Sequence, residues 1–327
     1  MQQRPSPYLH DGAVMSSPKE RLPGAFYHIV RRCHRREMRL TPTADMNGAI
    51  TVLTHDACEA TGLQIIATCW MGNHYHGVVY DPSARLSEWT AHVNGTMSRF
   101  CNATQGARGH MWDAQEDNDQ ELGDLETVAK TVAYVIANPV AAGLVHSPSA
   151  YPGICTTLEM VASDQGPTAD RPKGFFRAGG PVSEVGEVAH HCPPGITPDG
   201  FRAMVKAALD PLLAEARRAA KSSGRGFRGA AAVQATDPFE TAKRVETKNV
   251  GLKSKALRRM LAATPARVRA MVARYLRFRA DYAIARAKLV HGVPNNAVTF
   301  PAGTWSLWRY CGARRHAPPL TMVKAAA

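Results

Sequence analysis

The apolar run Ala25-Phe26-Tyr27-His28-Ile29-Val30, rich in aromatic and β-branched residues and closed by the polar pair Arg31-Arg32, reads as a first strand. From Thr43 to Thr61 the pattern becomes helical and stops at Gly62. Strand patterns return over Gln64 to Met71 and His74 to Tyr80. Gly72-Asn73 between them is a two-residue turn signal, which predicts a hairpin. Between Leu86 and Thr104, Trp89, Val93, Met97 and Phe100 fall at helical spacing. The acidic stretch Asp113 to Asp124 reads as a solvated loop. Asp124 can cap a helix that runs to Asn138, where Pro139 biases the preceding residue away from helical geometry. The order strand-helix-strand-strand-helix predicts an α+β fold. Its form is a ferredoxin-like antiparallel sheet with helices on one face, leaving the other face open to a long substrate.

The rest of the chain reads differently. Residues 1–20 are polar and proline-dotted, a flexible N-terminus in this reading. The strand-helix unit occupies 21–147. Residues 148–199 are rich in Pro, Gly, Ser and Thr and read as a linker or insertion. Residues 200–327 read as a mostly helical extension, broken by Ser222-Ser223-Gly224-Arg225-Gly226-Phe227-Arg228-Gly229.

Composition narrows the class. Of 327 residues, 45% are hydrophobic, enough for a packed core. No apolar run approaches the roughly 20 residues that span a bilayer, so no membrane partner is expected. The N-terminus lacks a secretory pattern, and the seven cysteines form no Cys-x-x-Cys pair. Both point to reduced thiols in a cytoplasmic setting. The net charge of +13 is uneven. Residues 1–199 carry 15 Lys/Arg against 21 Asp/Glu, whereas 200–290 carry 21 against 6. A basic tail on a mildly acidic first half suits nucleic acid as partner, although a solvated helical surface has the same composition. Arg258, Arg259, Arg267 and Arg269 are the tail's candidate phosphate contacts. Arg31, Arg32, Arg35 and Arg36 are candidates at the end of the first strand.

Two motifs carry candidate chemistry. In Met71-Gly72-Asn73-His74-Tyr75-His76, strand alternation puts His74 and His76 on one face, where two imidazoles can share a cation. In Ala133-Tyr134-Val135-Ile136-Ala137-Asn138-Pro139-Val140, Tyr134 and Asn138 share a helix face. Asn138 can supply a third, oxygen ligand or can merely cap the helix end. Two imidazoles and one neutral oxygen suit Mg²⁺ or Mn²⁺ held transiently. Tyr134 lies at the edge of an apolar stripe, where it is either a core residue or a projecting phenol. Lys130, one turn earlier, is either a cation that assists loss of the phenolic proton or a solvated lysine.

Those residues bring a family into view. With Phe26-Tyr27-His28-Ile29-Val30-Arg31-Arg32 and Tyr134 through Val145, residues 22–147 resemble the REP-associated tyrosine transposases of the single-tyrosine HUH superfamily. The resemblance implies a single-stranded DNA endonuclease and strand transferase acting at hairpins through a reversible 5′-phosphotyrosine link. By that analogy His74, His76 and Asn138 hold the metal and Tyr134 is the nucleophile. The family contains monomers and helix-swapped homodimers, so both states stay open. This chain departs from the family at Ala137, where His is frequent, and at Gly72, where Pro is frequent. It also has Arg35-Arg36-Glu37-Met38-Arg39-Leu40 in place of an acidic, aromatic entry to the first helix. A non-catalytic DNA-binding regulator with the same fold is the rival reading. An RNA-binding protein is a third, since open sheets of this shape also hold single-stranded RNA.

Overall fold

A computed structural model describes residues 18–113, 118–224, 226–242, 260–305 and 314–315. The stretch 1–17 of the expected flexible N-terminus, Arg258 and Arg259 lie outside the described residues. Strand β1 (Ala25–Arg32) is followed by α1 (Ala44–Thr61), β2 (Gln64–Met71), β3 (His74–Asp81) and α2 (Leu86–Thr104). These bounds follow local chemistry. Thr43 accepts a hydrogen bond from the Met46 amide at the start of α1, and Gly62 ends that helix at φ 72°, in the left-handed region. The Asp81 carboxylate accepts from the amides of Arg85 and Leu86 and so fixes the entry into α2.

The acidic stretch expected to be a loop contains a strand instead, β4 (Asn118–Leu122), paired antiparallel to β1. Its polar residues are tolerated because Asp119, a buried carboxylate, is met by Lys19 at 2.8 Å and Arg21 at 2.5 Å. Burial alone would raise the Asp119 pKa, but these two cations hold it below the usual carboxylate range. Tertiary pairing has overridden low strand propensity.

Helix α3 (Leu125–Ala141) begins at the predicted cap, with Asp124 accepting from the Thr127 amide. It runs past Asn138, the expected end, with Pro139 inside it. Pro139 forfeits only its own amide bond. The chain turns at Gly143 (φ 70°), where the amides of Ala142 and Gly143 bond to the carbonyls of Asn138 and Val140.

The sheet order is β2-β3-β1-β4, extended by a two-residue parallel strand β7 (Met260–Leu261) beside β4. The α+β expectation holds, with five strands, mostly antiparallel. One sheet face packs Tyr27, Ile29, Tyr75 and Val79 against α1 and α2. The other face, expected to be open, carries Phe26, Ile66 and Val78 under α3, and α3 packs in turn on α4 (Pro198–Ser222). The apolar stripe of α3 needs that burial, so the helix cannot stand clear of the sheet.

Residues 151–192 are laid along the sheet edge and α1. Thr156 bonds Thr68, and the hairpin β5 (Thr168–Asp170) with β6 (Val185–Glu187) seats on α1. Gly48 and Gly186 permit that approach. A Cβ at either would come within 2.6 Å of the Asp170 carbonyl oxygen or 2.8 Å of the Val52 Cα. The short helix α5 (Ala230–Gln234) packs Val233 into the α3–α4 core. Helix α6 (Pro265–Val290) buries Met271, Tyr275, Phe278 and Tyr282 in a separate cluster with Val298 and Phe300. A further two-residue pair joins β8 (Thr299–Phe300) to β9 (Arg314–Arg315). Among the described residues no helix is long and apolar enough to cross a membrane.

Candidate metal and tyrosine centre

His28 and His76 lie on the same sheet face, on neighbouring strands. Register pairs Val30 with His76 and His28 with Val78. The rings of His28 and His76 stack at 5.2 Å, and those of His74 and His76 meet edge to face at 5.0 Å. Tyr75 points to the opposite face, stacked on Trp70 and bonded to Asn94. The strand alternation seen in the sequence therefore separates the imidazoles from the apolar core.

Tyr134 descends from α3 onto this group. Its ring lies edge-on to His76 at 5.5 Å and to His28 at 6.2 Å. It remains 48% exposed, unusual for an aromatic on a packed helix. A cleft of about 580 Å³ opens over Tyr134, His28, His76 and Lys130. Gln120 forms part of the floor, and Leu261, Ala262 and Ala263 form a wall.

Hydrogen bonds orient the two hairpin imidazoles. His74 Nδ1 is 2.6 Å from the Asn73 side-chain oxygen, which can only accept, so His74 carries its proton on Nδ1. His28 Nδ1 lies 3.2 Å from the Gln120 amide oxygen, and His28 Nε2 lies 3.0 Å from His76 Nδ1. With His28 donating to Gln120, its Nε2 accepts from His76 Nδ1–H. Both hairpin rings then present Nε2 as a lone pair, the usual arrangement for metal-binding histidine. Burial pushes His28 and His74 down to about 4, with Arg32 and Arg36 adding to the effect on His74. His76 is pushed well below its ordinary value by burial and by its imidazole neighbours. Neutral rings are the form that can ligate a cation.

Asn138 sits between two marked points, one on α3 and one at its C-terminal cap. Tyr134, one turn earlier, touches His76, and Ala142, one turn later, borders a cavity with His74. The Asn138 side-chain nitrogen is buried and has no hydrogen-bond partner. An amide end buried without a partner is costly, and rotation about the last side-chain bond exchanges it for the oxygen. Two imidazoles and one amide oxygen are donors of the kind that suit Mg²⁺ or Mn²⁺. Among the described residues no three His, Cys, Asp or Glu converge on a cation position.

The remaining candidates separate into three groups. Lys130 lines the cleft but is exposed and paired with Glu126 at 2.6 Å. Arg32 and Arg36 border a second cavity beside His74, while Arg31 is half-buried and Arg35 exposed. Arg267 and Arg269 lie exposed on α6, far from the imidazoles in sequence, and Arg267 approaches Gly123 just after β4. His28 and Gln120 escaped the sequence reading. The signal was available as strand parity, because His28 shares the parity of Phe26 and Val30. Which face that parity serves depends on strand register, which the sequence does not state.

With this geometry in place, comparison with known proteins is informative over part of the chain. Residues 23–116 match the family described as Transposase IS200 like. This segment is similar to the IS200-like transposases. The match ends before α3, so Tyr134 and Asn138 lie outside it. Two solved structures show looser likeness. One is described as a REP-associated tyrosine transposase bound to a REP hairpin, with 16% identity and a TM-score of 0.39, over 46% of this chain and 87% of that one. The other is a transposase candidate from Deinococcus radiodurans R1, with 13% identity and a TM-score of 0.24, over 34% of this chain and 83% of that one. At these scores the likeness bears no functional weight. A comparison with curated proteins found no match.

Proposed function

We propose that this protein is a metal-dependent single-stranded DNA endonuclease and transposase that cuts and rejoins DNA through Tyr134, at hairpin-bearing sites. The observation that carries the reading is the edge-on approach of the exposed Tyr134 ring to His76 at 5.5 Å, on the face where both hairpin imidazoles present free Nε2 atoms.

In this mechanism His74, His76 and Asn138 would hold Mg²⁺ or Mn²⁺. The bound ion would make the scissile phosphorus more electrophilic and offset the charge gathering on its oxygens. The Tyr134 hydroxyl oxygen attacks that phosphorus. A new P–O bond forms to the tyrosine as the bond to the 3′ oxygen of the preceding nucleotide breaks. The departing 3′ oxygen takes up a proton, and the phenolic proton passes to solvent in the cleft. One phosphodiester replaces another, so a 3′-hydroxyl can attack the phosphotyrosine and reverse the step. Lys130 at the cleft edge contributes a positive charge beside the phenol. The open cleft accommodates an extended strand, and the basic tail supplies a further counter-charge.

Tyr134→Phe tests the reading. Incubated with Mn²⁺ and a 3′-labelled hairpin oligonucleotide, the native chain should form a denaturation-resistant adduct with the 3′ fragment. The Phe variant should form none while binding the oligonucleotide within about twofold of native. An adduct that persists in the variant removes Tyr134 from the chemistry. Salt-sensitive binding by the native chain with no strand shortening would favour the regulator instead.

A further inference from the structure

A second cavity, of about 350 Å³, is bordered by His74, which does not line the Tyr134 cleft. One wall is the β2–β3 turn with Met71, Gly72 and Asn73. The opposite wall comes from Arg228, Val233, Thr236 and Ala242, all beyond the segment that matches the transposase family. Its interior is apolar, with two methionines, and its rim carries Arg32, Arg36 and Arg228.

The backbone at this rim is unusual. Arg35 and Arg36 both adopt left-handed conformations, at φ 53° and 60°. Neither is glycine, and such residues are strained unless their surroundings hold them. Here the surroundings do. The Met38 amide donates to the Glu240 carbonyl, and the Ala242 amide donates to the Arg36 carbonyl. Glu37 pairs with Thr241, and the Arg39 guanidinium lies 5.1 Å from the Phe239 ring centroid. Residues 237–242 therefore clamp the arginine turn from outside and complete the cavity in one stroke. Strain kept at a site by a distant segment is a mark of a built feature rather than a packing accident.

We infer that this cavity receives one unpaired nucleobase of the DNA strand that crosses the His74/His76 face, with Arg32, Arg36 and Arg228 holding the phosphates on either side of it. The inference rests on the proposed DNA substrate and adds a place where a single base is gripped. A flat base with a charged backbone at its edges matches an apolar slot ringed by guanidinium groups, which both stack on bases and pair with phosphates. Methionine walls tolerate more than one base shape. The slot therefore grips a base at a fixed distance from the phosphate at Tyr134 without demanding a single identity.

The test uses the full-length protein in EDTA, so that binding is read without cleavage. Hairpin oligonucleotides carry a single abasic position moved one nucleotide at a time through the unpaired flank, and affinity is read by fluorescence anisotropy. For the native chain, one position should stand out with a loss of about tenfold, the scale of one base stack. Ala242→Trp, which fills the slot from a half-buried position, should lower affinity for the intact oligonucleotide by a similar factor. It should also make that position insensitive to base removal. Arg228→Glu, at an exposed position, should weaken all the oligonucleotides and keep the abasic pattern. A flat abasic profile in the native chain overturns the inference, as does a peak that survives Ala242→Trp. Failure of the native chain to bind any oligonucleotide would overturn the DNA reading itself, which separates the two outcomes.

Discussion

The first 147 residues and the tail solve different problems with different materials. In the first region the polar groups that matter are few, buried and held by named partners. His74 and His76 are each held by a hydrogen bond at Nδ1, and His28 by one at each ring nitrogen. In the tail, charge is plentiful and mostly solvated. Helix α6 commits its aromatic residues to a private core with Val298 and Phe300 and leaves Arg267, Arg269, Arg277 and Arg279 exposed. Arg274 is the exception, since it pairs with Glu20 and Glu121 and so ties α6 to the sheet. A reacting atom must be placed to within a fraction of an ångström, which calls for a rigid sheet and locked rotamers. A polyanion needs only a dense positive field, which solvated arginines supply without fixed geometry. Net charge thus points toward the binding partner and says nothing of where the chemistry sits.

The largest expected effect that would break this comparison is at Asp119. Asp119→Ala leaves the Arg21 guanidinium buried without its anion and should cost roughly 3–5 kcal/mol, the usual scale for half of a buried pair. Denaturant unfolding monitored by Trp fluorescence measures it. A drop in stability below about 1 kcal/mol would show that the first region does not depend on its buried polar partners.

A smaller effect is expected at His28. His28→Phe keeps the ring volume and removes the acceptor for His76 Nδ1–H, so His76 can move its proton to Nε2. Mn²⁺ affinity, measured by electron paramagnetic resonance of the free ion, should fall roughly 10- to 100-fold, as for other partners behind a metal-binding histidine. His28→Gln, which can place an oxygen where Nε2 stood, should recover much of it. Equal affinities in all three proteins would mean that His76 is oriented by something else.

The smallest effect concerns the tail. Replacing Arg267, Arg269, Arg277 and Arg279 by Ala should lower the slope of log affinity against log salt by about one unit for each phosphate these side chains no longer neutralise. The profile across abasic positions should keep its shape. Removing residues 200–290 outright is a blunter experiment, because it strips α4 from α3 and exposes the helix that carries Tyr134. An unaltered salt slope in the point variants would free α6 from any role in holding DNA.

Much of the first region was legible from periodicity. The bounds of β1, β2 and α2 follow from their apolar runs, the turn residues and helical spacing, whereas spacing only put Tyr134 and Asn138 on one helix face, and their proposed roles came with the family resemblance. What escaped has one physical origin, the dependence of a segment on partners far along the chain. The acidic run at 118–122 has no strand character of its own and is stabilised by Lys19 and Arg21, about 100 residues earlier. Helix α3 outlasts Asn138 because its apolar stripe continues to Val140, which is buried. His28 looked like one polar residue in a strand until register set it against His76. The wall built by residues 228–242 could not be read at all, since nothing local marks Phe239 or Ala242 as neighbours of Arg36 and Arg39.

The Gly72-Asn73 turn carries more than its two residues suggest. It sets Met71 opposite His74 and Cys69 opposite His76, and through β3 it sets Val30 opposite His76. Because side chains alternate, lengthening the turn by one residue while β2 stays in place would rotate His74 and His76 toward α1 and α2 and bring Tyr75 out beneath the phenol. No proposed ligand would have been mutated, yet the imidazole cluster under Tyr134 would be gone. The count of residues in a hairpin is here as much a determinant of chemistry as the identity of any one of them.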